Sequence, residues 1–257
     1  MERLNEHQVS RGITASGLRL WGYLFILLGV VAKCFIQNGM LGVSNMTSQQ
    51  LLQLMEQSGD SMALITASIV MQALESCAVP FFAMLLVEGF CKTSDWKKYL
   101  GRVALVALVS EIPYNLAMSG KFFDLSSRNP VFALVLGLIM LWFYRYYGEK
   151  SGRNTFIKGL VTVAAILWSG MLAVEHGAFF LLMTAVLWLT REKSYKVLAG
   201  AVAAAVGCVF SLLYVVAPFS FLAVHFYNGE KGESNRVVNM LCYPVLLLAV
   251  YAATFLI

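Results

Sequence analysis

Apolar runs occupy almost all of this 257-residue chain, and that constrains the fold before any single residue does. Crossing a bilayer as a helix takes ~20 predominantly apolar residues, fewer where flanking side chains snorkel. Runs of this kind cover residues 17–36, 61–90, 98–118, 130–147, 156–174, 177–191, 196–227 and 237–257. Only 13% of the residues are charged against 59% hydrophobic, whereas soluble domains carry about 25% charged residues. The expectation is an all-α, polytopic integral membrane bundle of eight or nine transmembrane helices forming a single domain over residues 1–257.

Two runs are too long for one simple span. Residues 61–90 contain Glu75 and Pro80, which predict a kinked or broken helix. Residues 196–227 contain Pro218 and read either as one span or as a span plus a shorter return helix. Basic residues fall in short clusters between the runs, in a regular alternation. That pattern puts the tail 1–16 in the cytoplasm and the connection 37–60 outside. Length favours eight crossings, and Lys231 with Arg236 favours nine. Within the 37–60 connection, SQQLLQLMEQ (48–57) sets Leu51, Leu52 and Met55 on one side, as an interfacial amphipathic helix does.

The net charge of +5 does not imply nucleic acid, because it is distributed as topology signals. Cys34, Cys77, Cys91, Cys208 and Cys242 lie scattered in apolar segments, with neither a disulfide framework nor a metal-ligand spacing. No P-loop, dinucleotide fingerprint, nucleophile elbow or zincin helix is present.

Polar groups at membrane depth are expensive and therefore mark candidate sites. They concentrate in residues 110–132, SEIPYNLAMSGKFFDLSSRNPVF. Glu111, Asn115, Asp124, Arg128 and Asn129 fall toward the outer half of the membrane, as do Lys33, Glu175 and His176. A poorly hydrated carboxylate exchanges protons closer to neutrality, and a cation holds an anion or an oxyanion. The four-residue spacings of Glu111 to Asn115 and of Asp124 to Arg128 suit helix capping and mutual neutralisation equally well, so both roles stay open. Lys33 at a helix end is also placed to snorkel, and His176 to sit in a solvated loop. Glu88 is placed to pair with Lys92. A second string, HFYNGEKGESNR (225–236), predicts backbone reversals at Asn228-Gly229 and at Gly232. Lys231 and Arg236 beside exposed N–H groups suit phosphate, though an ordinary cytoplasmic loop has the same composition.

The strings PFFAMLLVEGF (80–90), SEIPYNL (110–116), FDLSSRNPVF (123–132), EHGAF (175–179) and FYNGEKG (226–232) followed by YPVLLL (243–248) resemble the TraX family. These are bacterial membrane proteins named for a factor that acetylates pilin. The resemblance runs from about Leu18 to the C-terminus. It implies a membrane-bound O- or N-acyltransferase that takes an acyl group from acyl-CoA, with no permanently bound cofactor and no metal. The acceptor would be an extracytoplasmic glycan, lipid-linked sugar or exported polypeptide. Carried onto this chain, Glu111, His176 and Lys33 are the catalytic candidates. Asn115, Asp124, Arg128, Asn129 and Glu175 form the acceptor pocket, and Asn228, Gly229, Lys231, Gly232 and Arg236 take the donor. The chain departs from the family twice: Ala32-Lys33 stands where an Asp-His pair is usual, and Leu246 where the Tyr-Pro-x-His motif ends. Those losses keep a non-catalytic binding or scaffold relative open as an alternative. A small transporter using intramembrane carboxylates is the third reading.

Overall fold

A computed structural model describes residues 12–43, 46–233 and 235–256. Helix α1 (Ala15–Val30) starts on Thr14, whose side chain accepts from the Gly17 N–H. It then widens into π-helical turns over Val31–Met40, closed by a Leu41 N–H to Ile36 carbonyl bond of 3.1 Å. Short helix α2 (Ser48–Gln57) opens on a Thr47–Gln50 capping box, as the 48–57 pattern predicts. The side chain of Met55 and most of the N-terminal tail lie outside the described residues.

Helices α3 (Gly59–Glu75) and α4 (Ala78–Lys92) form the broken helix expected over residues 61–90. The break falls at Ser76–Cys77, immediately after Glu75. Pro80 then sits in the first turn of α4, where its missing N–H costs no helical bond. The broken pair runs antiparallel to α1 and its π-helical extension. Gly22 faces Phe82, Gly29 faces Glu75, and Gln37 hydrogen-bonds Ser68 at 2.9 Å.

Helices α5 (Trp96–Ser119), α6 (Val131–Tyr146), α7 (Gly152–Met171) and α8 (Gly177–Thr190) follow. The α5 helix continues through Pro113 and ends on Gly120, whose φ of 68° suits a residue without Cβ. Helix α8 is apolar all round and buries Phe179, Leu181 and Met183 against α4 and α6, so it forms the centre of the bundle. Opposite it, Phe156, Leu160, Val163, Leu167 and Met171 make an exposed stripe at helical spacing along α7. This is the surface expected against lipid.

The region 196–227 doubles back. Helix α9 (Lys196–Val206) ends in a short 3₁₀ turn, and the chain returns through 3₁₀ turns at Leu212–Phe219 into α10 (Ser220–His225), both packed on α9. Helix α11 (Arg236–Ala253) then packs along α5. Among the described residues, five helical segments are long and apolar enough to cross a bilayer: Ala15–Met40, Gly59–Lys92, Trp96–Ser119, Gly152–Met171 and Val237–Leu256. The other apolar helices, Val131–Tyr146, Gly177–Thr190, Lys196–Val209 and Leu212–His225, are shorter.

The tightest of these contacts is Gly29 on Glu75, where an added Cβ would stand 2.0 Å from the carboxylate. Gly29→Ala is therefore expected to displace the Glu75 carboxylate and destabilise the fold by roughly 1–3 kcal/mol. Thermal unfolding of the detergent-solubilised variant beside the parent checks it.

Candidate functional site

A cavity of about 520 Å³ runs lengthwise between α1, α4, α5, α6 and α11. One end is basic, lined by Arg19, Lys92, Arg102 and Lys231. The middle is apolar, with Ile26, Val79, Phe82, Leu85, Val103, Val106 and Leu134 on its walls. The other end is formed by Glu75, Glu175 and His176. The basic end is the open one: the Lys92 side chain is 60% exposed, while that of Glu75 is 9% exposed.

The inner end is a cluster from three separate segments. Lys33, in the π-helical turns, lies between two carboxylates, 3.3 Å from Glu75 Oε2 and bonded to Glu175 Oε1. Glu75 reaches the cluster because the broken helix ends there and Gly29 leaves room for its carboxylate. Glu175 and His176 sit in the short connection between α7 and α8. Ala173 and His176 both take positive φ there (51° and 56°), a costly backbone state for residues with a Cβ. Burial works against the charge of Glu175, but Lys33 outweighs it, with His176 adding to the effect, so its pKa is held below the usual carboxylate range. Tyr114 donates to Glu175 Oε2 at 3.0 Å and pairs with Ser127 at 2.7 Å.

His176 is held through its Nδ1, 2.8 Å from the Tyr214 hydroxyl, and Tyr214 in turn stacks on Phe179. The other ring nitrogen, Nε2, is buried and has no hydrogen-bond partner among the described residues, while Glu75 Oε2 faces the Lys33 ammonium. Nε2 stands 3.8 Å from Glu75 and 4.0 Å from Glu175. The ring is thus held at Nδ1 and turns Nε2 toward the two carboxylates.

The remaining expected residues divide between this cluster and a second one. Glu111 does not line the cavity. Its carboxylate accepts from Arg128 Nη1 at 3.0 Å, from Asn129 Nδ2 at 2.6 Å and from the Asn129 N–H at 3.4 Å. Asn129 also donates to the Ala107 carbonyl and accepts from the Val131 N–H, which stitches α5 to the start of α6. Asn115 is buried and donates to the Phe122 carbonyl at 3.3 Å. Asp124 is half-buried and caps the Ser126 N–H, and hydrogen bonds from Ser126 hold its pKa down to about 2. Of the three catalytic candidates, His176 lines the cavity, Lys33 stands behind the carboxylates, and Glu111 is committed to the second cluster.

At the basic end, Lys231 lines the cavity and Gly232 packs on Thr14 and Ser16. Gly229 and Gly232 both take positive φ (78° and 67°), so the chain reverses where the sequence predicts. Asn228 and Gly229 border a neighbouring cleft with Glu88, Lys92 and Tyr227. The carbonyls of Glu230 and Lys231 accept from the Ala15 and Ser16 N–H groups. The loop therefore covers the α1 N-terminus and faces the cavity with its lysine. Glu88 pairs with Lys92 as its spacing predicts, and Lys92 also donates to the Gly229 carbonyl. The side chain of Arg236 lies outside the described residues.

Sequence reasoning did not assign Arg19, Lys92, Arg102, Glu75, Tyr114 or Tyr214 to the site. One signal for the first was available: Arg19, Tyr23, Ile26 and Val30 share one helical stripe, and all line the cavity. Tyr214 carried no such signal, because only the reversal of residues 196–227 brings it beside His176.

The family model described as "TraX protein" matches residues 45–253, most of the chain. No curated protein and no solved structure matches it. With its all-helical architecture and apolar spans, this chain is a membrane protein of the TraX family.

Proposed function

We propose that this protein is a membrane-bound acyltransferase that carries an acyl group from acyl-CoA to an acceptor on the opposite side of the cytoplasmic membrane. The observation that carries this reading is the cavity itself, which joins four cationic side chains at its open end to a buried imidazole at its closed end. In a charge-poor chain, such a gathering of cations fits an anionic headgroup, and the CoA phosphates supply one. The apolar middle accommodates the pantetheine arm and brings the thioester carbonyl toward His176.

The basic end is then cytoplasmic, which agrees with the lysine and arginine alternation. Nine crossings, counting the return through α10, would put the Lys231 loop on that same side. His176 Nε2 takes the proton of the acceptor hydroxyl or amine, whose oxygen or nitrogen attacks the thioester carbonyl. The new ester or amide bond forms as the C–S bond breaks, and the imidazolium returns its proton to the departing CoA thiolate. Glu75 and Glu175, within 4.0 Å of Nε2, favour the transient imidazolium, since Lys33 supplies one positive charge against their two negatives. Tyr214 holds the ring orientation.

Two outcomes test this reading in proteoliposomes given labelled acetyl-CoA and cell-envelope acceptors. His176→Ala is expected to lower transfer by about 10²–10⁴-fold while CoA binding persists, as loss of a general base does. Transfer at the parent rate would remove His176 from the mechanism, and CoA binding without turnover in the parent would leave the binding-protein reading. Arg102→Ala combined with Lys231→Ala is expected to weaken CoA binding by about tenfold or more. Equilibrium binding of labelled CoA measures it.

A further inference from the structure

The inner cluster is closed on the side away from the basic end by residues 120–130, which connect α5 to α6. Their attachments are uneven. The connection leaves α5 at Gly120, in the left-handed conformation. Its middle protrudes, with Phe122, Phe123 and Leu125 at 66%, 81% and 74% exposure. Its fastening is concentrated in Ser127, Arg128 and Asn129. Ser127 pairs with Tyr114, the same hydroxyl that donates to Glu175. The Arg128 N–H donates to the Ala173 carbonyl at 2.8 Å, and the Arg128 carbonyl accepts from the Glu175 N–H at 3.0 Å. The Arg128 guanidinium reaches back to Glu111.

We propose that this connection is a strap that must lift for the acceptor to reach His176, and that Arg128 is the residue that fastens it. The inference rests on the acyl-transfer reading, in which donor and acceptor approach from opposite sides. The donor's route is the cavity, open at the basic end. The acceptor then meets the cluster from the far side, where the strap lies directly on Glu175 and Tyr114. Beneath it, His176 Nε2 is buried without a hydrogen-bond partner among the described residues, which leaves it ready for a polar group that arrives when the strap moves.

The geometry suits a gate. One end pivots on Gly120, which adopts its conformation without the penalty a side chain would bring. The other end is held by an ion pair whose members are 31% and 15% exposed, a half-solvated setting in which such pairs contribute little net stability. The receiving segment already contains two residues in a disfavoured backbone state, Ala173 and His176, so its closed form is not its most relaxed one. Arg128 acts here through the strap and does not touch the reacting atoms.

A reversible lock tests the gate. Arg128 and Val174 face one another in a parallel bridge, within reach of a disulfide. The double variant Arg128→Cys/Val174→Cys is made with Cys91, Cys208 and Cys242 replaced by serine and is reconstituted in proteoliposomes. Oxidised, it is expected to bind CoA as the reduced form does but to transfer at least about tenfold more slowly, with reduction restoring the rate. Equal transfer in both forms would overturn the gate. A second arm works without any turnover, so failure of the gate and failure of the acyl-transfer reading are distinguishable. Glu111→Gln is expected to speed hydrogen exchange at the Arg128 and Glu175 amides by about tenfold while the α8 amides keep their protection. Unchanged exchange at those two amides, or an equal rise across α8, would overturn the fastening role.

Discussion

One lysine between two carboxylates organises the inner half of this bundle. Ion pairs at such depth persist only when geometry compensates the lost hydration, and here each partner comes from a different segment. Lys33 comes from the π-helical end of the first helix, Glu75 from the broken second span, and Glu175 from the strained connection before α8. Each local irregularity serves the same contact. The widened turns of Val31–Met40, the break after Glu75, the bare Cα of Gly29 and the positive φ of Ala173 and His176 surround one cluster. A bundle of regular helices would leave these charges pointing at lipid or at one another.

The charge arithmetic explains why the cluster is more than a brace. Lys33 neutralises one carboxylate equivalent of two, and the imidazole of His176 stands beside both. The imidazole therefore faces two carboxylates whose charge Lys33 leaves half compensated. The same arrangement engages Lys33 itself, whose ammonium is shared between the two carboxylates. The Glu111 carboxylate is likewise engaged, by Arg128 and Asn129.

The helical architecture was legible in the sequence because membrane helices are specified by apolar length; the caps that start them, Thr14, Thr47, Asp95, Ser151 and Asn235, emerge only in the structure. The break after Glu75 and the reversal within 196–227 also left marks, a buried acid and two prolines. Pairing was far less legible. The spacings Glu111 to Asn115 and Asp124 to Arg128 suggested local partners, yet Arg128 bonds Glu111, Asp124 turns back on Ser126, and Asn115 reaches Phe122. Four-residue spacing describes neighbours on a continuous helix, and the chain between Gly120 and Pro130 is not one. The positions that complete the site from far away, Glu75 and Tyr214, depend on packing between remote segments, which spacing does not encode.

Family resemblance placed a histidine at the end of the first helix, where this chain has Lys33, and that difference looks at first like loss of the chemistry. The structure gives it another physical meaning. A cation is required at this point, because Glu75 and Glu175 converge there and two uncompensated carboxylates would repel. Lysine meets that requirement permanently, where an imidazole would do so only when protonated. On the acyl-transfer reading proposed above, Lys33 holds the charge-balancing position and the proton-moving role belongs to the neighbouring ring. His176 is oriented by Tyr214, faces the cavity and has its second nitrogen unengaged. On that proposed reading, two duties that one histidine would combine are divided between two residues: Lys33 holds the carboxylates together, and His176 moves the proton to and from the substrate.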